Sequence, residues 1–220
     1  MLLKYYHYVQ LICLLMAIIY YKPMKERSLG LLLPLMIIVC IVETSAQYFK
    51  QLGLRSNYDI YKIWSIACLL IQFAVFYKIL RLSKQQRRLF LFLATLSCIF
   101  MLIDLFYISV GTSMYPTNTM IAIEHFILSC LLLVQLFMND EAPVKLSVHP
   151  YFWFAAGLML FNVCHLITSG LHPYLRDHKI MLFGDPIYRT IARMANFVLY
   201  SFYSISFFLC SRYKATLPQS

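Results

Sequence analysis

Long apolar runs separated by short polar punctuation make up almost the whole chain. Seven of them fall at approximately 5–22, 29–49, 59–80, 88–110, 118–138, 150–170 and 187–210. Each comes near the ~20 residues that a helix needs to cross a ~30 Å hydrocarbon slab. The breaks have physical causes. Pro23 follows the first run, and Asn57 and Asp59 are candidate caps for the third. Asn118 opens the fifth, Pro150 the sixth, and Asp185-Pro186 the seventh. Pro34 lies inside the second run, which predicts a kink there. The first run resembles a signal peptide in its Lys4 and apolar centre. It ends in YYKP (20–23) without a small-residue cleavage site, so a retained helix is expected.

The pattern predicts an all-α fold: a single polytopic membrane bundle of seven transmembrane helices filling residues 1–220. Lys and Arg orient it. The first, third and fifth loops with the C-terminus carry eleven, against seven on the opposite side, and SKQQRR (83–88) is the densest cluster. The positive-inside rule then puts the N-terminus outside and the C-terminus in the cytoplasm, in a cell (inner or plasma) membrane.

With that orientation, the polar residues inside the runs gather in the outer half. Glu43 lies near the outer end of the second helix, and Asp104 and Tyr107 near that of the fourth, three apart and therefore on one face. Glu124 and His125 lie in the outer third of the fifth, within IAIEHFILSC (121–130). Asn162 and His165 are three apart in the sixth, and Arg189, Arg193 and Asn196 form one stripe on the seventh. His7 and Gln10 sit near the outer end of the first. The inner half is nearly all aliphatic and aromatic, with Gln72 and Gln135 as exceptions. An intramembrane charge costs about 2.5–3.5 kcal/mol, so these groups should face one another and not lipid. Glu43, Asp104, Glu124, His165, Arg193 and Asn196 are the expected lining of a ligand cavity. Neighbours on a helix lie about 100° apart, so Glu124 and His125 cannot both face the axis. Glu124 is expected inward and His125 at a helix–helix seam.

Composition sharpens the class. Hydrophobic residues are 61% and charged residues 13% of the chain, with a mean hydropathy of +0.71. A soluble domain carries about 25% charged residues. The net charge of +10 then reads as topology and contact with the lipid bilayer's anionic headgroups. Nucleic acid is excluded as a partner, because the basic residues are scattered over short loops. The seven Cys fall one to each apolar run, which argues against a disulfide framework or a loop zinc site.

No HxxxH or HExxH spacing, phosphate-binding glycine loop, GxSxG elbow or dinucleotide fingerprint occurs. No metal, cofactor or catalytic residue is therefore assigned. The seventh run has no His, unlike the ceramidase and progestin-receptor type, and no Lys for a retinal Schiff base.

HPYFWFAAGLMLFNVCHLI (149–167), ARMANFVLYSFYSISFFLCSR (192–212) and IEHFILSCLLLVQLF (123–137) resemble a group of small seven-helix membrane proteins in Bacteroidota. The resemblance covers residues 118–212. Such proteins are often encoded beside two-component signalling genes, which implies sensing. The leading expectation is a receptor-like sensor that takes a small ligand from the outer side. It would signal through a partner such as a membrane histidine kinase, with Lys84–Arg88 as a candidate contact. A small-solute or ion transporter or channel is the alternative. An intramembrane lipid-modifying enzyme and a purely structural subunit rank behind it.

Overall fold

The computed structural model describes residues 5–52, 58–108, 115–138, 145–182 and 184–212, excepting some side chains within them. Eight α-helices dominate: α1 (Tyr5–Ile19), α2 (Tyr21–Glu26), α3 (Leu32–Gln51), α4 (Tyr58–Ile79), α5 (Lys84–Ile103), α6 (Tyr115–Phe137), α7 (Pro150–Asp177) and α8 (Ile187–Arg212). Among the described residues six helices are long and apolar enough to cross a membrane, so the chain is an all-α, multi-pass membrane protein. The first run is broken, and this corrects the expected continuous helix over 5–22. Pro23 has no N–H to donate back to Ile19, and the helix is interrupted at Tyr20 before α2 resumes. The 15 residues of α1 rise only about 22 Å.

The other boundaries move for local reasons. The helix expected from 88 begins at Lys84, because Ser83 and Gln86 form a reciprocal capping box around its first turn. Pro34 is the third residue of α3, where a missing N–H has no intrahelical acceptor to lose. The expected kink therefore has no cause. Asn57 lies outside the described residues, and Asp59 is inside α4 and not at its cap. The helix expected over 118–138 starts earlier, at Tyr115, with Pro116 in its first turn. A two-stranded hairpin, β1 (Met181–Leu182) with β2 (Asp185–Pro186), precedes α8 and was not expected. Gly184, at φ +79°, makes its turn.

α1, α3, α4, α6, α7 and α8 pack in that order as a closed ring, and α5 lies outside it against α4 and α6. The outer face of α5 is a lipid surface of Leu89, Phe92, Leu96 and Ile99. The tightest contact is α7 on α8, where a Cβ on Gly157 would stand 2.7 Å from the Cβ of Phe202. One end of the ring is pinned at Arg27: its Nε donates to the Cys210 carbonyl at 3.0 Å, and Tyr151 Oη donates to the Arg27 carbonyl at 2.9 Å. Arg81 is at this end too, its backbone N–H and carbonyl held by the Gln135 amide at 3.0 and 3.1 Å. Glu43 marks the other end.

Candidate functional site

A cleft opens at the Glu43 end of the ring and descends between α3, α4, α6, α7 and α8. Its wider, upper room has a cavity volume of about 150 Å³, and its deeper room about 40 Å³. Trp64, Phe161, His165, Asn196 and Tyr200 border both rooms, so the two adjoin. Tyr61 at the mouth and Gln72 at the bottom are eleven residues apart on α4, which sets a depth of about 16 Å, half a bilayer core. Phe76, Phe154 and Phe207, all fully buried, border neither room but pack as an apolar floor behind the deep room's His125 and Tyr203, with Phe154 stacked on Tyr203. The walls follow from helix period. Tyr61, Trp64, Cys68 and Gln72 stand at i, i+3, i+7 and i+11 on α4, and Leu158, Phe161, His165 and Thr168 form the matching stripe on α7.

Three of the six expected ligand residues meet here. Glu43 borders the upper room and keeps 19% of its side chain exposed. Tyr6 Oη donates to its Oε2 at 3.5 Å, the Tyr61 phenol donates to the same carboxylate, and His7 Nε2 lies 3.8 Å away. Gln47 in turn bonds the His7 ring. His165 and Asn196 face Glu43 across the room, and Ser169 Oγ lies 3.4 Å from His165 Nδ1.

The other three are elsewhere. Asp104 is fully buried at a π-helical turn (Asp104–Ile108) that ends α5. Its Oδ2 accepts from Thr117 N at 3.1 Å and from Thr117 Oγ1 at 2.5 Å, which fastens the start of α6. The wider winding also separates it from Tyr107, which is 82% exposed, so the expected shared face is absent. Arg193 pairs with Asp185 of the hairpin and does not line the cleft. Glu124 lies at the α5–α6 seam, bonded to Ser97 Oγ, with its Oε2 buried and without a protein partner.

The orientation of the Glu124–His125 pair is thus the reverse of the expectation. His125 is 2% exposed and faces the deep room, its ring stacked on Phe76 and edge-on to Phe73. Because α5 sits outside the ring, the α6 face that meets it is not the face that meets the axis.

The deep room holds polar groups that the sequence reading did not bring together. Gln72 Oε1, His125 Nε2 and Tyr203 Oη are buried and have no hydrogen-bond partner in the protein. Asn118 was expected only as a cap, yet its Oδ1 accepts from the buried Ser65 Oγ at 2.6 Å and it borders the same room. Tyr61, Trp64, Phe161 and Tyr200 passed as interface belts and apolar bulk. The signal that finds them is the mixed aromatic and polar stripe on α4 and α7.

Fold and cleft define a helical, multi-pass membrane bundle with a polar cleft entering from one end. Comparison with protein-family models, with curated proteins and with solved structures gives no match. Among the described residues no group of three or more His, Cys, Asp or Glu has the geometry to hold a metal ion.

Proposed function

We propose that the chain is a seven-span, receptor-like membrane sensor. Its cleft takes a small ligand from the outer side, and its response passes to a partner protein in a cell membrane. The observation that carries this is the polar upper room at the Glu43 end: Glu43, His165 and Asn196 border it, while the fully buried Phe76, Phe154 and Phe207 lie behind the lining of the deeper room. The seventh span is α1 extended by α2, which together run from Tyr5 to Glu26 and pack against α8. The Lys and Arg distribution supports the orientation, with the Glu43 end outside and the Arg27–Arg81 end in the cytoplasm. Membership in the Bacteroidota seven-helix group, and signalling through a membrane histidine kinase, belong to this proposal. The exposed first turn of α5 (Lys84, Arg87, Arg88) is the docking candidate.

A transporter needs a polar path through the second half of the membrane as well. Asn162, Gln72 and Gln135 are the candidate steps, and of these Gln135 is engaged with the Arg81 backbone and Asn162 with the Leu158 carbonyl. Single-sided access therefore fits sensing better.

The test is cysteine accessibility in oriented vesicles. Thr168 lines the upper room with its hydroxyl donating to the Cys164 and His165 carbonyls of its own helix, and Leu132 lies buried beyond the floor. Thr168→Cys should react with a membrane-impermeant thiol reagent added outside, and Leu132→Cys from neither side. Labelling of Thr168→Cys from the cytoplasmic side alone would reverse the orientation. Labelling of Leu132→Cys would open the floor and favour transport.

A further inference from the structure

The chemistry of the cleft walls names a class of ligand. Glu43 is the acid bordering either room, and among the described residues no Lys or Arg borders them. Arg193, the intramembrane cation nearest in sequence to Asn196, is held by Asp185. An anionic ligand would meet the Glu43 carboxylate in a room that no Lys or Arg lines, with His7 3.8 Å from Glu43 as the nearest basic side chain described. A cation would meet one carboxylate anchored by two phenols.

The aromatic residues decide between a metal ion and an organic cation. Tyr61 and Trp64 of α4, Phe161 of α7 and Tyr200 of α8 border the same upper room as Glu43. Four aromatic side chains from three helices share one room with a carboxylate, and the faces of such rings attract positive charge. Rings so grouped suit ammonium ions with apolar substituents, which have little hydration to lose. A hard metal ion instead asks for several oxygen ligands, and Glu43 supplies its carboxylate alone. The upper room has a cavity volume of about 150 Å³, which limits the occupant to a small molecule. The deep room adds a second requirement. Gln72, His125 and Tyr203 border it, and their Oε1, Nε2 and Oη are buried without a protein partner, about 16 Å or less below the mouth by helix rise (about 1.5 Å per residue), so a ligand tail with a polar end suits this place.

We propose that the cleft binds a small organic ammonium ion. Its charged head is held by Glu43 among Tyr61, Trp64, Phe161 and Tyr200, and its polar tail turns toward Gln72, His125 and Tyr203. The proposal rests on the reading of the cleft as an outward-opening ligand site. The sequence has two Trp, and Trp153 is remote from the cleft, packed on Phe202 with its Nε1 donating to the Ser147 carbonyl. Trp153→Phe therefore leaves Trp64 as the sole reporter.

The experiment is a fluorescence titration of full-length Trp153→Phe protein in lipid nanodiscs. The probes are choline and 3,3-dimethyl-1-butanol, which has the same shape without the charge. Choline should change Trp64 emission saturably, and the uncharged isostere should bind at least tenfold more weakly. Glu43→Gln in the same background should weaken choline at least tenfold and leave the isostere unchanged. Equal binding of the two probes overturns the proposal, whatever the fate of the Glu43 variant. So does unweakened choline binding to a Glu43→Gln protein that unfolds normally. Quenching by acrylamide, a neutral reagent, separates the two failures. If acrylamide reaches Trp64 but choline is not preferred, the cleft stands and the cation reading falls. If neither acrylamide nor choline affects Trp64, the open cleft falls as well, and the proposal with it.

Discussion

Removing the Asp104 carboxylate should loosen the α5–α6 connection without touching the cleft. Asp104 Oδ2 accepts two hydrogen bonds from one residue, Thr117 N–H at 3.1 Å and Thr117 Oγ1 at 2.5 Å, in a fully buried position. Thr117 is the third residue of α6, so its N–H is one of those the helix cannot satisfy itself, and a negative group there also complements the helix dipole. Hydrogen bonds between membrane helices average about 0.6 kcal/mol and reach about 1.7, because the unfolded chain in lipid also finds partners. Two bonds to a carboxylate belong at the upper end, and a buried N–H left unpaired costs about 1–3 kcal/mol more. Asp104→Ala should therefore lose about 2–4 kcal/mol. Asp104→Asn keeps an oxygen for both donors but loses the charge, and should lose about 1 kcal/mol, since charge-assisted bonds are roughly twice as strong as neutral ones. Thr117→Val removes the hydroxyl and keeps the N–H, and should fall between the two. The assay is reversible unfolding in mixed micelles by titrated SDS, followed by helix circular dichroism. A stable Asp104→Ala protein, or a Thr117→Val protein as damaged as Asp104→Ala, would refute the fastening. An Asp104→Asn protein of normal stability with no choline response at Trp64 would return Asp104 to the ligand site.

Three further outcomes follow from other contacts. His149, outside the membrane spans, has its pKa pushed down to about 4 by burial first and then by Arg27 and Arg81. The unfolded chain therefore binds more protons between about pH 6.5 and 4, so this contribution is full above pH 6.5 and is lost as pH falls toward 4. His149→Gln should flatten the fall in melting temperature between pH 7 and 4.5, and an unchanged slope would sink this assignment. Gly157→Val should cost about 1–3 kcal/mol by overpacking against Phe202. The clash is with the Phe202 Cβ, so Phe202→Gly should relieve it and Phe202→Ala should not, with SDS unfolding as the check. Glu124→Gln should leave choline binding at Trp64 unchanged, because Glu124 faces Ser97 at the α5–α6 seam and not the cleft, and a tenfold loss in the same titration would contradict that placement.

The sequence made the spans legible because each apolar run needs no neighbour to be recognised. It also identified the polar residues that cannot face lipid. Their pairing was not legible. Asp104 is satisfied by Thr117 across the turn to the next helix, and Arg193 by Asp185 in a hairpin whose apolar and polar alternation is too short to read. The facing of Glu124 and His125 depends on whether α5 lies inside or outside the ring, which periodicity within α6 cannot tell. Tyr61 was hidden among 17 Tyr, and Trp64, though one of two Trp, has no charged neighbour in sequence except Lys62 to mark it. Only their spacing with Cys68 and Gln72 on one helix face sets them apart from the interfacial rings.

What separates a ligand site from a packing knot is whether the polar groups already have partners. A membrane bundle that uses polar residues only to fix its helices should satisfy them, since each buried unpaired donor or acceptor costs about 1–3 kcal/mol. Asp104 with Thr117, Ser65 with Asn118, and Arg193 with Asp185 meet that standard. Gln72, His125 and Tyr203 do not, although Leu or Phe at those places would fill the deep room at no polar cost. Among the described residues, three of the four unpaired groups share one room, with the paired Asn118 also on its border, and the fourth, Glu124 Oε2, lies at the α5–α6 seam. Stability alone would remove the three in that room. Recognition of something that enters the cleft is the function that would retain it.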